Sequence, residues 1–180
     1  MKVFRCSVLA RRWALPVVLA LVAGVALAAT LSSYLPASGA IPGWSAVSGS
    51  SRGGSDNTTL YQIYDGAVDA MRTAGITEAY QRQYAKGVLR LTVDVFRCST
   101  WQKAKAYYVA QRESNKTATV FKTYSEIKEQ GFIAESSGSI VGMGWAKTYV
   151  VQIGLSGSGN ASRYEVYKFL KNILHKIKPS

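Results

Sequence analysis

The stretch Gly154-Leu155-Ser156-Gly157-Ser158-Gly159 lies between a strand-like run and a helix-like one. Glycine-rich strand-to-helix loops can cradle a phosphate, because backbone N–H groups point at the anion near a helix N-terminus. The spacing here is neither G-x-G-x-x-G nor G-x-x-x-x-G-K, and too little chain follows Gly159 for a second βαβ half. The loop is therefore expected to be a flexible connector. Asp65 and Asp69, four residues apart, could bind a hard cation or share a proton. They flank an apolar stripe without interrupting it, which predicts a solvated edge. Glu126 and Glu129 beside Lys128 read the same way. His175 is the single histidine. It could serve as a base or as a haem or copper ligand, but it sits in a lysine-rich last turn where a cation complements the helix dipole. One His and two Cys exclude a zinc finger and a disulfide framework. No Ser-His-Asp constellation and no G-x-S-x-G elbow is legible. Neither a catalytic residue nor a cofactor or metal is expected.

The aromatic residues suggest binding chemistry instead. Eleven tyrosines are present. Tyr84 stands near Arg82 and Lys86, Tyr107-Tyr108 near Lys105, and Lys168 and Lys171 project from a basic C-terminal helix. Tyr84, Lys105, Tyr107, Tyr108, Lys168 and Lys171 are therefore a candidate surface for a carbohydrate, an extended anion or a partner. The competing reading is that tyrosine simply suits half-buried strands and helix edges.

The N-terminus bears on where such a surface would work. Lys2, Arg5, Arg11 and Arg12 precede an apolar run from Trp13 to Ala29, and no charged side chain occurs between Arg12 and Arg52. A charge at the centre of a membrane helix costs about 2.5–3.5 kcal/mol, so this stretch reads as an export segment, and the positive-inside rule keeps residues 1–12 in the cytoplasm. Two readings stay open. Ala26-Leu27-Ala28 could be a cleavage site that releases a soluble periplasmic domain. Alternatively the segment 13–34 is retained as an anchor, ~31 Å long at 1.5 Å per residue, with Arg11, Arg12, Trp13 and Tyr34 at its two membrane interfaces. Without the four basic residues of the leader, 18 basic residues face 10 acidic ones, a net +8. That balance favours an anionic membrane surface or other membrane-protein subunits as partners, and outside the cytoplasm nucleic acid is excluded. Cys98 would then be the one exported cysteine, left to an intermolecular bridge or, the favoured reading, a buried thiol.

Residues 35–55, rich in Ser, Gly, Ala and Pro, read as a linker with one ordered piece at Ile41-Pro42-Gly43-Trp44. Residues 56–178 read as the exported domain. Asp56 or Asn57 caps a helix over Thr58–Thr73 with one apolar stripe, and Gly75 stops it. Ile76–Tyr84 and Val88–Arg97 form a hairpin, with Leu89, Leu91, Val93 and Val95 on a dry face and Arg90, Thr92 and Asp94 on a wet one. A second helix follows, capped by Ser99 or Thr100 and reaching Arg112. Its apolar positions are Trp101, Ala104, Tyr107, Tyr108 and Ala110. Val120–Tyr124 suggests a short strand and Ser125–Glu129 a helical turn. A meander over Phe132–Ala134, Ser139–Trp145 and Thr148–Leu155 comes next. Ser162-Arg163-Tyr164-Glu165 resembles a capping box opening the last helix. Its inner stripe is Val166, Tyr167, Leu170, Ile173, Leu174 and Ile177, and Pro179 ends it. The expected fold is α+β: an antiparallel sheet of about five strands, covered by about three helices on one face and preceded by one hydrophobic helix.

Pro42-Gly43-Trp44, Leu60-Tyr61-x-x-Tyr64-x-Gly66-Ala67, Gly75-Ile76, Ala104-x-Ala106-Tyr107-Tyr108 before Gln111-Arg112, Gly138-Ser139 and Thr148-Tyr149-Val150-Val151 occur in this order. The pattern resembles a bacterial family of exported domains of unknown function, over about Ile41 to Leu155. The resemblance implies an exported α+β domain and carries no catalytic residue over. The resulting expectation is a non-catalytic accessory or scaffold subunit of a membrane-associated complex on the periplasmic face of the cytoplasmic membrane. The alternative is a soluble periplasmic module that binds a carbohydrate or an anionic ligand.

Overall fold

A computed structural model of the chain describes residues 30–124 and 131–177. The expectations for Arg11, Arg12, Trp13, the hydrophobic N-terminal helix, the cleavage site at Ala26-Leu27-Ala28, the turn at Ser125–Glu129 and Pro179 lie outside them. The fold is α+β, with eight strands among the described residues where about five were expected. In order these are β1 (Ser45–Ala46), β2 (Arg52–Gly54), β3 (Ile76–Lys86), β4 (Leu89–Cys98), β5 (Val120–Tyr124), β6 (Gly131–Ser136), β7 (Ser139–Ala146) and β8 (Tyr149–Ser156). They form one antiparallel sheet in the order β1-β3-β4-β8-β7-β6-β5, with β2 also paired to β3. The extra strands β1 and β2 are two and three residues long, too short to show a period in sequence.

The helices are α1 (Leu31–Tyr34), α2 (Asn57–Tyr64), α3 (Val68–Thr73), α4 (Trp101–Ser114) and α5 (Gly159–Ile177). They cover both faces of the sheet, not one. On one face α5 buries Val166, Phe169, Leu170, Ile173, Leu174 and Ile177 against Leu91, Val93, Val95, Val151, Ile153 and Leu155. On the other, Leu60, Val68, Met71, Ala104 and Tyr108 pack over Ala79, Phe96, Phe132, Met143 and Val150. Strand residues alternate between the two cores, as the two-residue period of a strand requires. Phe169, absent from the expected stripe, is fully buried, while Tyr167 is only half-buried. On α4 only Ala104 and Tyr108 are buried, and Trp101 and Ala110 are exposed.

The single helix expected over Thr58–Thr73 is broken. Asp56 caps it as expected, accepting from Thr59 N at 2.8 Å. At Asp65 the backbone takes φ +47, a conformation that favours glycine, and a 3₁₀ turn over Asp65–Ala67 separates α2 from α3. The cap on α4 is Thr100, accepting from Lys103 N at 3.2 Å. The β6–β7 turn has positive φ at both Ser137 and Gly138, the two-residue geometry whose twist matches the strands it joins.

Residues 35–55 do not behave as a linker. Leu31, Leu35, Ile41 and Trp44 are all buried in the core beneath α5. Their apolar side chains fill a sheet edge and a helix end, so α1 and the segment after it belong to the core.

Asp94 also departs from the hairpin reading. Its face is dry, because α2, α3 and α4 roof it, and only 7% of the residue is exposed. Tyr64 Oη donates to Asp94 Oδ1 at 2.8 Å, and Gln81 Nε2 donates to the same oxygen at 2.9 Å. Burial pushes the Asp94 carboxyl above the usual carboxylate range, against these two hydrogen bonds. A raised native value means that stability falls as pH rises through it. Asp94→Asn keeps the acceptor and removes the buried charge. It is expected to stabilise the fold by about 1–2 kcal/mol at pH 7, with an advantage that grows as pH rises. Urea unfolding at several pH values checks this, and a constant difference would count against it. Asp94→Ala, which orphans both donors, is expected to destabilise.

Candidate functional site: a tyrosine and lysine surface on helix α5

Helix α5 brings together the residues most suited to binding. Positions three and four apart share a helix face, so Tyr164, Tyr167, Lys168 and Lys171 form one cluster beside the buried stripe. Tyr164 is 60% exposed. Its ring lies 6.1 Å from that of Tyr167 at an interplanar angle of 27°. Tyr124 from β5 extends the series, 4.9 Å from Tyr167 at 30°. Lys168 Nζ sits 5.2 Å over the Tyr164 ring, and Lys171 Nζ 5.8 Å over the Tyr167 ring. Each such cation–π contact contributes about 0.5–1 kcal/mol at an exposed site and fixes a flexible lysine in place.

Two grooves meet at Tyr164 and Tyr167. The first, of about 520 Å³, runs between α5 and the segment Ala40–Pro42, with Lys171, Asn172, His175 and Lys176 along its wall. The second, of about 470 Å³, continues past Tyr124 to Lys122, Asn160 and Arg163. Among the described residues, no carboxylate lines either groove. The carboxylates nearby are already engaged. Glu165 accepts from Trp44 Nε1 at 2.7 Å, from Lys86 Nζ at 2.8 Å and from Lys168 Nζ at 2.8 Å. Glu135 pairs with Arg163 and accepts from Gly159 N at 3.0 Å. Burial favours the neutral form of Glu165, yet the Lys168, Lys86 and Trp44 hydrogen bonds outweigh it and bring the carboxyl down to about 2. A depressed native value contributes stability above the unfolded value and loses it as pH falls toward the native one. Between about pH 4.5 and pH 2 the wild-type chain should therefore lose about 1–2 kcal/mol that Glu165→Gln never has. Acid titration of the two by circular dichroism checks this, and parallel curves would refute it.

The start of α5 is not a phosphate cradle. The helix opens at Gly159, three residues before the expected capping box, and the Glu135 carboxylate already occupies its first N–H. Glu165, expected to reach back to that cap, instead faces Trp44. Only Gly157 and Ser158 separate β8 from α5, and Gly157 N donates to Gly138 O at 2.8 Å, so the connector is short and tied down.

Of the expected surface residues, Lys168 and Lys171 line the first groove. Tyr84 and Tyr108 do not belong to any surface. Tyr84 is buried beneath Phe169, its hydroxyl donating to Pro36 O at 2.8 Å, and burial pushes it up to about 12. Tyr108 is buried beside Phe132. Tyr107 is half-buried with its edge on Phe96, and Lys105 is exposed on α4, across the sheet from α5. Tyr34, expected at a membrane interface, packs on Tyr149 with ring centroids 5.2 Å apart. Asp65 and Asp69 lie on the α2–α3 side and His175 on α5, so these three share no pocket, and Asp69 accepts from Tyr61 Oη at 2.7 Å. Cys98 is a buried free thiol, raised to about 11 by burial, as expected. Sequence reasoning missed Tyr124, Tyr164 and Tyr167. The Tyr164-x-x-Tyr167 spacing was there to be read, but Tyr167 was assigned to the inner stripe.

No protein-family model and no curated protein matches the chain. Among solved structures, the extracellular domain of PknH from Mycobacterium tuberculosis is similar at 13% identity, with a TM-score of 0.44, over 74% of this chain and 81% of that one. At that score the likeness carries no functional argument. Among the described residues no helix is long and apolar enough to cross a membrane.

Proposed function

We propose that this chain is an exported, non-catalytic binding domain that takes an anionic ligand on the outer face of α5. The observation that carries the reading is the tyrosine series Tyr124–Tyr167–Tyr164, with Lys168 and Lys171 held over its rings where two grooves meet that no carboxylate among the described residues lines. Stacked ring faces suit sugar or apolar surfaces, and the lysines suit phosphate or carboxylate. Thermal unfolding of the full chain in a zwitterionic detergent, with sugar phosphates and acidic oligosaccharides, tests it. A ligand at a hundred times its Kd adds about 2.7 kcal/mol, or roughly 5–10 °C in Tm. Tyr167→Ala and, separately, Lys171→Gln should abolish the shift. If no anion shifts the midpoint, the reading fails.

A second reading, an accessory subunit of a membrane complex, is favoured by Trp101, 52% exposed on α4 and remote from the grooves. Stoichiometric co-purification of a partner from membranes, lost in Trp101→Ala, would select it.

A further inference from the structure

The apolar run ends at Ala29, and Leu31 is already a core residue at 1% exposure. Two residues of fully extended chain reach at most ~7 Å. The headgroup layer on one side of a bilayer is only ~5–8 Å deep. If the run spans a membrane, no spacer holds the domain away from it, and the α1 end must rest at headgroup level. That end adjoins the C-terminal part of α5, because Lys176 Nζ donates to Leu35 O at 3.2 Å. From Lys176 the first groove runs back past His175, Asn172 and Lys171.

We propose that the occupant of this groove is the headgroup of an anionic phospholipid from the membrane that holds the chain. Lys171 and His175 are exposed there, and no carboxylate among the described residues lines the groove to oppose a phosphate. Ala40, Ile41 and Pro42 form an apolar opposite wall, which suits the glycerol and the start of the acyl chains. The inference rests on the anion-binding reading above and names the source of the anion.

The probe is His175, the single histidine of the chain. The full chain is placed in nanodiscs of phosphatidylcholine alone, or of phosphatidylcholine with phosphatidylglycerol, and treated with diethyl pyrocarbonate. Mass spectrometry gives the rate of His175 carbethoxylation. Phosphatidylglycerol should slow it about fivefold or more, and Lys171→Gln should recover most of that rate, because one lysine at an anionic surface accounts for about fivefold in binding. Equal rates in the two discs, combined with protection by soluble glycerol phosphate, would overturn the lipid assignment and leave the anion-binding reading standing. Equal rates with no protection by either would overturn both. A native intact mass lacking the residues before Ala29 would also overturn the lipid assignment.

Discussion

Trp44→Ala is expected to lower the unfolding free energy by about 3–5 kcal/mol, the range for deleting a large buried aromatic. Three losses combine there. The indole is 1% exposed and meets Phe169 edge-on at 5.4 Å, so its removal opens a cavity under the middle of α5. Its Nε1 is one of three donors to Glu165. It also ties the segment Leu31–Trp44 to α5. For a chain this long the cost corresponds to about 6–20 °C in Tm. Trp44→Phe, which keeps much of the ring and loses the N–H, should cost about 1–2 kcal/mol. Calorimetry of both variants checks the ranking. An alanine variant within 1 kcal/mol of wild type would mean that the segment before β1 is not part of the cooperative unit.

Gly142→Val is expected to cost about 3 kcal/mol, for the opposite reason. A Cβ at Gly142 would lie 2.4 Å from Val166 Cγ1, and one at Gly144 would lie 2.7 Å from Leu174 Cδ1. The two glycines make a trough in β7 in which α5 rests against the sheet. Overfilling a packed core costs about 1–3 kcal/mol even for smaller insertions. Gly142→Ala combined with Val166→Ala should be less destabilised than the sum of the two single changes, by about 0.5–3 kcal/mol. Strict additivity in chemical denaturation would show that α5 does not sit in that trough.

Local patterns were legible wherever local physics decided the outcome. Asp56 and Thr100 cap the helices that the sequence announced, and Val120–Tyr124 is a strand over its full expected length. The β3–β4 and β6–β7 turns fall at Gly87 and Gly138. Long-range effects were not legible. Arg90, Thr92 and Asp94 alternate like a solvated face, and nothing local shows that α2, α3 and α4 cover Asp94. The false capping box failed because Glu165 has partners far along the chain, in Lys86 and Trp44. The candidate surface split for the same reason. Tyrosine beside a basic residue looks alike in a core and on a groove, and only the sheet decides that Tyr84 lies beneath α5 while Tyr164 lies upon it.

The clasp between Trp44 and α5 also sets the order in which the molecule can be completed. Its partners are separated by 121 residues, and the Lys176–Leu35 contact by 141. A chain emerging from its N-terminus therefore holds Leu31, Leu35, Ile41 and Trp44 without their cover until α5 is delivered. Contacts of such long range are slow to form. The first-made part of the domain thus stays unlocked until α5 arrives.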